Sequence, residues 1–226
     1  MSEGARPRSI FRSFNVYIFL ALAGVVGPIV VIVADLTAAI SQPGYNPIHD
    51  SISILAWSPM GWLQTIGFLT VGLLVEVFVA GLLLTIRGGR LFGFGIGLLI
   101  CFGFGLLLIG AFPTDPIGNQ NTIGGTIHDA TAKVIFIIFP IASLLIAFSL
   151  RKDSRWGGLF VHTVATSGLA LALVLGWLWL TEDLGWFGLY ERILVANTII
   201  WVEIMAIRLL RLSLSAPERL KKSRIL

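Results

Sequence analysis

Residues 91–112 read LFGFGIGLLICFGFGLLLIGAF, 22 positions without a charge. A helix rises 1.5 Å per residue, so about 20 apolar residues cross the hydrocarbon of a bilayer. Working outward, five more runs of this kind appear, at 14–40, 60–86, 127–150, 157–180 and 188–210. Each far exceeds the roughly ten alternating residues of a barrel strand, so the spans are helices. The expected fold is an all-α bundle of six transmembrane helices. Short connections predict that consecutive spans pack as antiparallel neighbours.

Composition agrees. The chain has 226 residues, 56% hydrophobic and 12% charged, about half the charged fraction of a water-soluble domain. Mean hydropathy is +0.91. The single cysteine, Cys101, excludes an intrachain disulfide and a cysteine zinc cluster. The first run is too long for the apolar core of a secretory leader and is read as a retained helix.

Charge placement sets the expected orientation. Fourteen of the 16 Lys and Arg lie before span one, between spans two and three, between spans four and five, or at and after the end of span six. They include Arg6, Arg8 and Arg12 at one terminus and Arg219, Lys221, Lys222 and Arg224 at the other. Only Lys133 and Arg192 fall elsewhere. The positive-inside rule therefore predicts cytoplasmic termini, with 1–13 a basic N-terminus, 14–212 the membrane domain and 213–226 a basic tail. The pI near 9.6 is thus an orientation signal, and no nucleic-acid partner is expected. A prokaryotic plasma membrane is the expected location, with membrane lipid as the partner and Trp57, Trp62, Trp177, Trp179 and Trp186 as interface anchors near the outer ends.

Span three carries Gly89, Gly93, Gly97, Cys101 and Gly105 at every fourth position. Small residues so spaced let another helix approach closely, within the chain or, through Gly89, Gly93, Gly97 and Gly105, in a second copy. Pro28 and Pro140 each remove a helix hydrogen bond and predict kinks in spans one and four.

The outer side is acidic, with Asp35, Asp50, Asp115, Asp129, Glu182, Asp183 and Glu191 against Lys133 and Arg192. It holds two of the three histidines, each in an Ile-His-Asp tripeptide, at His49-Asp50 and His128-Asp129. Asp35 sits about 7 Å inside the end of span one, where an acid needs a partner or a wet cavity. Lys133 and Arg192 are its expected counter-charges, and Asp129 stands four residues before Lys133, the spacing of a helical ion pair. The expected ligand pocket gathers Asp35, His49, Asp50, Asp115, His128, Asp129, Lys133 and Arg192. Within it, His49, His128 and Asp115 are of the right types to hold a divalent metal. A histidine beside Ser51 or Ser53 could instead activate a hydroxyl. In the inner half, Glu76, His162 and Glu203 form a candidate intramembrane proton relay or a structural hydrogen-bond set.

The segments Gly27-Pro28 with Asp35, Tyr45-Asn46-Pro47, Ser51-Ile-Ser53 with Leu55, Gly61-Trp62, Phe112-Pro-Thr-Asp115-Pro116 and His128-Asp129 together resemble the six-helix membrane family catalogued as domain of unknown function 998. The likeness runs from about residue 20 to 210. It implies the six-helix fold and marks Asp35, Asp115, His128 and Asp129 as usual polar positions, and it implies no activity. Three readings follow. The first is a module whose outward acidic and histidine pocket binds a lipid headgroup or small polar ligand. The others are a metal-dependent hydrolase or transferase acting on lipid, and a proton-coupled transporter.

Overall fold

The computed structural model describes residues 8–116, 118, 122–177 and 185–222, with side chains from 16 to 215. The described residues form six long helices: α1 (Arg8–Ser41), α2 (Gly61–Thr85), α3 (Arg90–Ala111), α4 (Ile123–Leu150), α5 (Phe160–Trp177) and α6 (Phe187–Lys222). Every one contains a stretch long and apolar enough to cross a membrane. The six-span expectation is therefore met, and the protein is an integral membrane protein. Two short 3-10 turns, Ser53–Trp57 and Gly157–Leu159, interrupt the connections. Among the described residues there is no strand. Arg6, Trp179, Glu182, Asp183 and Arg224 lie outside the described residues, as do the side chains of Arg8, Arg12, Arg219, Lys221 and Lys222.

Boundaries shift where caps decide them. α4 starts at Ile123, four residues before the apolar run, because Thr122 caps it: its hydroxyl accepts from the Gly125 N–H at 3.0 Å. His128 thus sits inside the helix rather than at its mouth. α6 continues through Lys222, so the basic tail extends the last span.

Consecutive helices pack against each other, and α6 returns against α1 to close the bundle. Lipid tails give no hydrophobic drive between helices, so close packing and interhelical hydrogen bonds hold them. A Cβ at Gly24 would stand 2.6 Å from Phe78 Cδ2 and 2.7 Å from Ala206 Cβ, so α1, α2 and α6 meet there without room for a methyl. A Cβ at Gly95 would stand 2.9 Å from the Ala142 carbonyl, and one at Gly105 2.1 Å from Ile135 Cγ2, which seats α3 on α4.

The glycine ladder packs within the chain at one member only. Gly89, Gly93 and Gly97 have nothing within 4 Å of a built Cβ, and Cys101 is exposed. Of the glycines in that series Gly105 packs within the chain, and Gly95, Gly103 and Gly110 make further close approaches of α3.

Phe102, Phe139 and Trp201 form the aromatic centre, with successive ring centroids 5.6 Å apart. Beside it, Ser143 and Ser167 hydroxyls lie 2.8 Å apart and Trp201 Nε1 donates to Thr163 Oγ1 at 3.2 Å, tying α4, α5 and α6. α1 and α4 remain helical through Pro28 and Pro140.

The two ends of the bundle differ. The basic end is fastened by Asp153, almost fully buried, which accepts from Arg155 Nη2 at 2.7 Å and from the Arg87 N–H at 3.3 Å. Arg155 Nη2 also donates to the Thr85 carbonyl at 2.6 Å, and Arg208 donates to the Arg155 carbonyl. One carboxylate and two guanidiniums thus join the second and fourth connections to α6. The Arg155 guanidinium holds the Asp153 carboxyl down, at about 2.

Candidate functional site

The opposite, acidic end is organised by α6. Its first turn has backbone N–H groups with no helical partner. Gly188 N donates to the His49 carbonyl at 3.1 Å and Leu189 N to the Ile48 carbonyl at 3.0 Å, so the first connection caps α6 with its own backbone. Arg192, one turn on, donates through Nη1 to the carbonyls of Pro47 (2.7 Å) and Asp50 (3.0 Å), and through Nη2 to the Tyr45 hydroxyl. Glu191 Oε2 accepts from the Ile52 N–H at 2.6 Å. The Asp50 carboxylate closes its own turn, accepting from Asn46 N at 2.8 Å and from His49 Nδ1 at 2.9 Å. The Asn46 N–H, and then His49, hold the Asp50 carboxyl below the usual range. Burial pushes the Tyr45 phenol up, against the pull of Arg192.

That strap delivers residues 52 and 53 to the centre of the bundle, where five helices leave a cavity of about 90 Å³. Each helix contributes one stripe at helical spacing: Pro28, Val31 and Asp35 from α1, Phe68, Val71 and Val75 from α2, Phe102, Leu106 and Ile109 from α3. α4 adds His128, Ala132, Ile135 and Phe136, and α6 adds Glu191, Val195, Thr198, Ile199 and Val202. On α6 the lining residues run from Glu191 to Val202, about 16 Å along the helix. Its walls are apolar. Its polar atoms gather toward the acidic end, from Asp35, Ser53, His128 and Glu191, with Thr198 farther in.

His128 is 4% exposed and both ring nitrogens are engaged. Nδ1 lies 2.8 Å from the Phe112 carbonyl and Nε2 lies 3.0 Å from Ser53 Oγ. A carbonyl only accepts, so Nδ1 carries the proton and Nε2 turns its lone pair to the serine. Asp35 Oδ1 accepts from Gln64 Nε2 at 3.1 Å, and Gln64 Nε2 also donates to the Ile52 carbonyl at 2.7 Å.

The predicted pocket is therefore assembled in part. Asp35 and His128 line the same cavity. Gln64 hydrogen-bonds Asp35, and of the two expected counter-charges Arg192 acts on it through its charge, whereas Lys133 makes neither a hydrogen bond nor an ion pair with it. Arg192 is taken by the strap. Asp129 and Lys133 are exposed, because residues one and five positions after an inward His128 turn to the other side of α4. Among the described residues the ion pairs are His49–Asp50 and Arg155–Asp153, so Asp129–Lys133 is not one of them. Asp115 braces the start of α4 instead, accepting from the Thr122 hydroxyl and, at 3.3 Å, from the Thr122 N–H. His49 is exposed on the strap.

The metal set does not come together. Among the described residues no three His, Cys, Asp or Glu side chains are grouped to hold a metal ion. Likewise, no hydrogen bond joins Glu76, His162 and Glu203. Glu76 lies against Gly103 of α3 and accepts from the Phe104 N–H, while His162 Nε2 is buried without a partner.

Gln64, Glu191 and Ser53 complete the site. Gln64 was detectable in principle, as a polar residue at the same depth as Asp35 on the neighbouring antiparallel span. The contact of Ser53 with His128 crosses 75 positions and has no sequence signal beyond the two residue types.

A six-helix membrane bundle with a central cavity, apolar but for its acidic end, defines the class. The family model described as "Protein of unknown function (DUF998)" matches residues 25–208, and the chain belongs to that family. No curated protein and no solved structure matches it.

Proposed function

We propose that the protein binds an amphiphile in this cavity, with an apolar body between the helices and a hydroxyl or amino group at Asp35 and Glu191. The observation that carries this reading is the distribution of polarity: apolar side chains line about 16 Å of wall, and the carboxylates and the histidine sit at one end. A wholly polar solute would leave the valine and phenylalanine walls unmatched. A wholly apolar one would bring no partner for the charge of Asp35, whose hydrogen bond from Gln64 is to a neutral amide. A lipid whose hydroxylated or amine headgroup and first few carbons enter the cavity satisfies both. The concentration of cations at the other end supports an orientation with this cavity toward the outside and the termini in the cytoplasm.

Thermal unfolding of the purified protein in detergent tests the reading. Dodecanol and dodecylamine should raise the melting temperature, and Val71→Trp, which fills the wall, should remove the effect. Equal shifts for wild type and Val71→Trp would show that these probes act elsewhere.

A further inference from the structure

Ser53 and His128 stand in a relation that ligand binding does not require. Three atoms line up: Ser53 Oγ, His128 Nε2 at 3.0 Å, and, across the ring, the Phe112 carbonyl 2.8 Å from Nδ1. The carbonyl fixes which nitrogen holds the proton, the task of the third member in nucleophile–base triads. The Nε2 lone pair is then within reach of the serine proton, which is the geometry of a general base. Both side chains line the amphiphile cavity, and His128 is almost wholly screened from water.

We propose that Ser53 and His128 are a nucleophile–base pair that transfers the acyl group of an amphiphile carboxylic ester. This rests on the amphiphile reading of the cavity. Ser53 Oγ bonds to the ester carbonyl carbon as His128 Nε2 takes its proton. The tetrahedral adduct collapses, the carbon–oxygen bond to the alcohol breaks, and His128 returns the proton to the leaving oxygen. The acyl group stays on Ser53. Water then bonds to the acyl carbon, His128 takes a proton from it, and the Ser53–carbon bond breaks with that proton returning to Oγ. The balance is ester and water to acid and alcohol, without an oxidant or a second cofactor. The released hydroxyl is a donor of the kind that Asp35 accepts.

The test uses the full chain in detergent with a long-chain alkyl fluorophosphonate, which phosphonylates activated serines. Mass spectrometry should place the adduct on Ser53. Ser53→Ala and His128→Asn should each abolish it, while Ser51→Ala keeps it. The dodecanol-dependent melting shift is measured on the same samples. A persisting shift with no adduct overturns the acyl-transfer proposal and leaves the binding reading standing. Loss of both overturns the two together. An adduct spread over other hydroxyls and unchanged in His128→Asn also overturns it. Should His128→Asn fail to fold, Ser53→Cys in a Cys101→Ala background reads the same base. Its alkylation by iodoacetamide should outpace that of Ser51→Cys about tenfold, and equal rates sink the proposal.

Discussion

The Arg192 guanidinium lies over the Tyr45 ring, 5.5 Å from its centroid, while the same group donates to the Tyr45 hydroxyl and to the carbonyls of Pro47 and Asp50. One side chain of α6 therefore fastens the first connection at three points, Tyr45, Pro47 and Asp50. That connection carries Ser53, so the strap and the cavity are coupled.

Arg192→Met should release the strap while keeping the bulk of the side chain. A charged hydrogen bond contributes about 1.5–3 kcal/mol, and several are lost at once, so a destabilisation of about 2–4 kcal/mol is expected. Hydrogen exchange at residues 45–52 should accelerate more than that of the α2 and α3 helices. Unchanged protection at 45–52 would mean that the backbone capping of α6 by Ile48 and His49 suffices.

Orientation is open to direct labelling in a Cys101→Ala background. Cysteine at Pro43 or Asn119 should react with an impermeant thiol reagent added to intact cells, and cysteine at Gly89 or Ser154 only after lysis. Pro43 and Ser154 are both exposed at opposite ends of the bundle, so burial does not confuse the comparison. Reaction of the second pair in intact cells would turn the cavity toward the cytoplasm.

Much of this architecture was written in the sequence because a bilayer imposes run length, and run length needs no knowledge of partners. The site was harder to read for the same reason. In a soluble helix an apolar stripe marks the inward face. Here the outward face is apolar too: Ile29, Ile32 and Val33 of α1 are 41–57% exposed, while Val31 between them is buried. The stripe Pro28–Val31–Asp35 is distinguished only by its last member. Asp35 was legible because it breaks the apolar pattern. Its hydrogen-bond donor is not legible in the same way: charge points to Arg192, which acts on Asp35 from a distance, whereas the direct bond comes from a neutral amide on the adjacent helix, at lower desolvation cost. Asp129 and Lys133 were drawn into the pocket by sequence nearness to His128, although a helix turns about 100° per residue and carries them out.

The basic end offers a pH test. The folded Asp153 carboxyl sits at about 2, below its ordinary 3.8. A depressed acid stabilises the fold fully above its unfolded value, and that stability is lost as pH falls through the folded one. The difference corresponds to about 2 kcal/mol. Asp153→Asn should therefore lower the melting temperature at pH 6, and the gap to wild type should narrow as pH drops from about 4 toward 2. A gap that stays constant over that range would show that the carboxylate charge is not what Arg155 and the Arg87 N–H stabilise.

Asp35 separates the structural role of the pocket from its recognition role. Asp35→Asn keeps an oxygen for the Gln64 amide, so the hydrogen bond at 3.1 Å survives and stability should change by less than about 1 kcal/mol. What it removes is the negative charge at the end of an apolar cavity. Dodecylamine should lose most of its stabilising effect on Asp35→Asn, while dodecanol, which needs only an acceptor, should keep its own. Gln64→Leu should do the opposite: it leaves the Asp35 oxygen without its donor, while the Ile52 carbonyl keeps the Leu55 N–H, and destabilises by about 1–3 kcal/mol. Lys133→Met serves as the control. Lys133 is exposed and does not reach Asp35 by hydrogen bond or ion pair, so neither the melting temperature nor the response to either probe should move beyond about 0.5 kcal/mol. A Lys133→Met protein that loses the dodecylamine response would restore the lysine to the pocket and overturn the Asp35–Gln64 account. Equal losses of both probes in Asp35→Asn would show that the carboxylate shapes the cavity rather than reading the charge of what enters it.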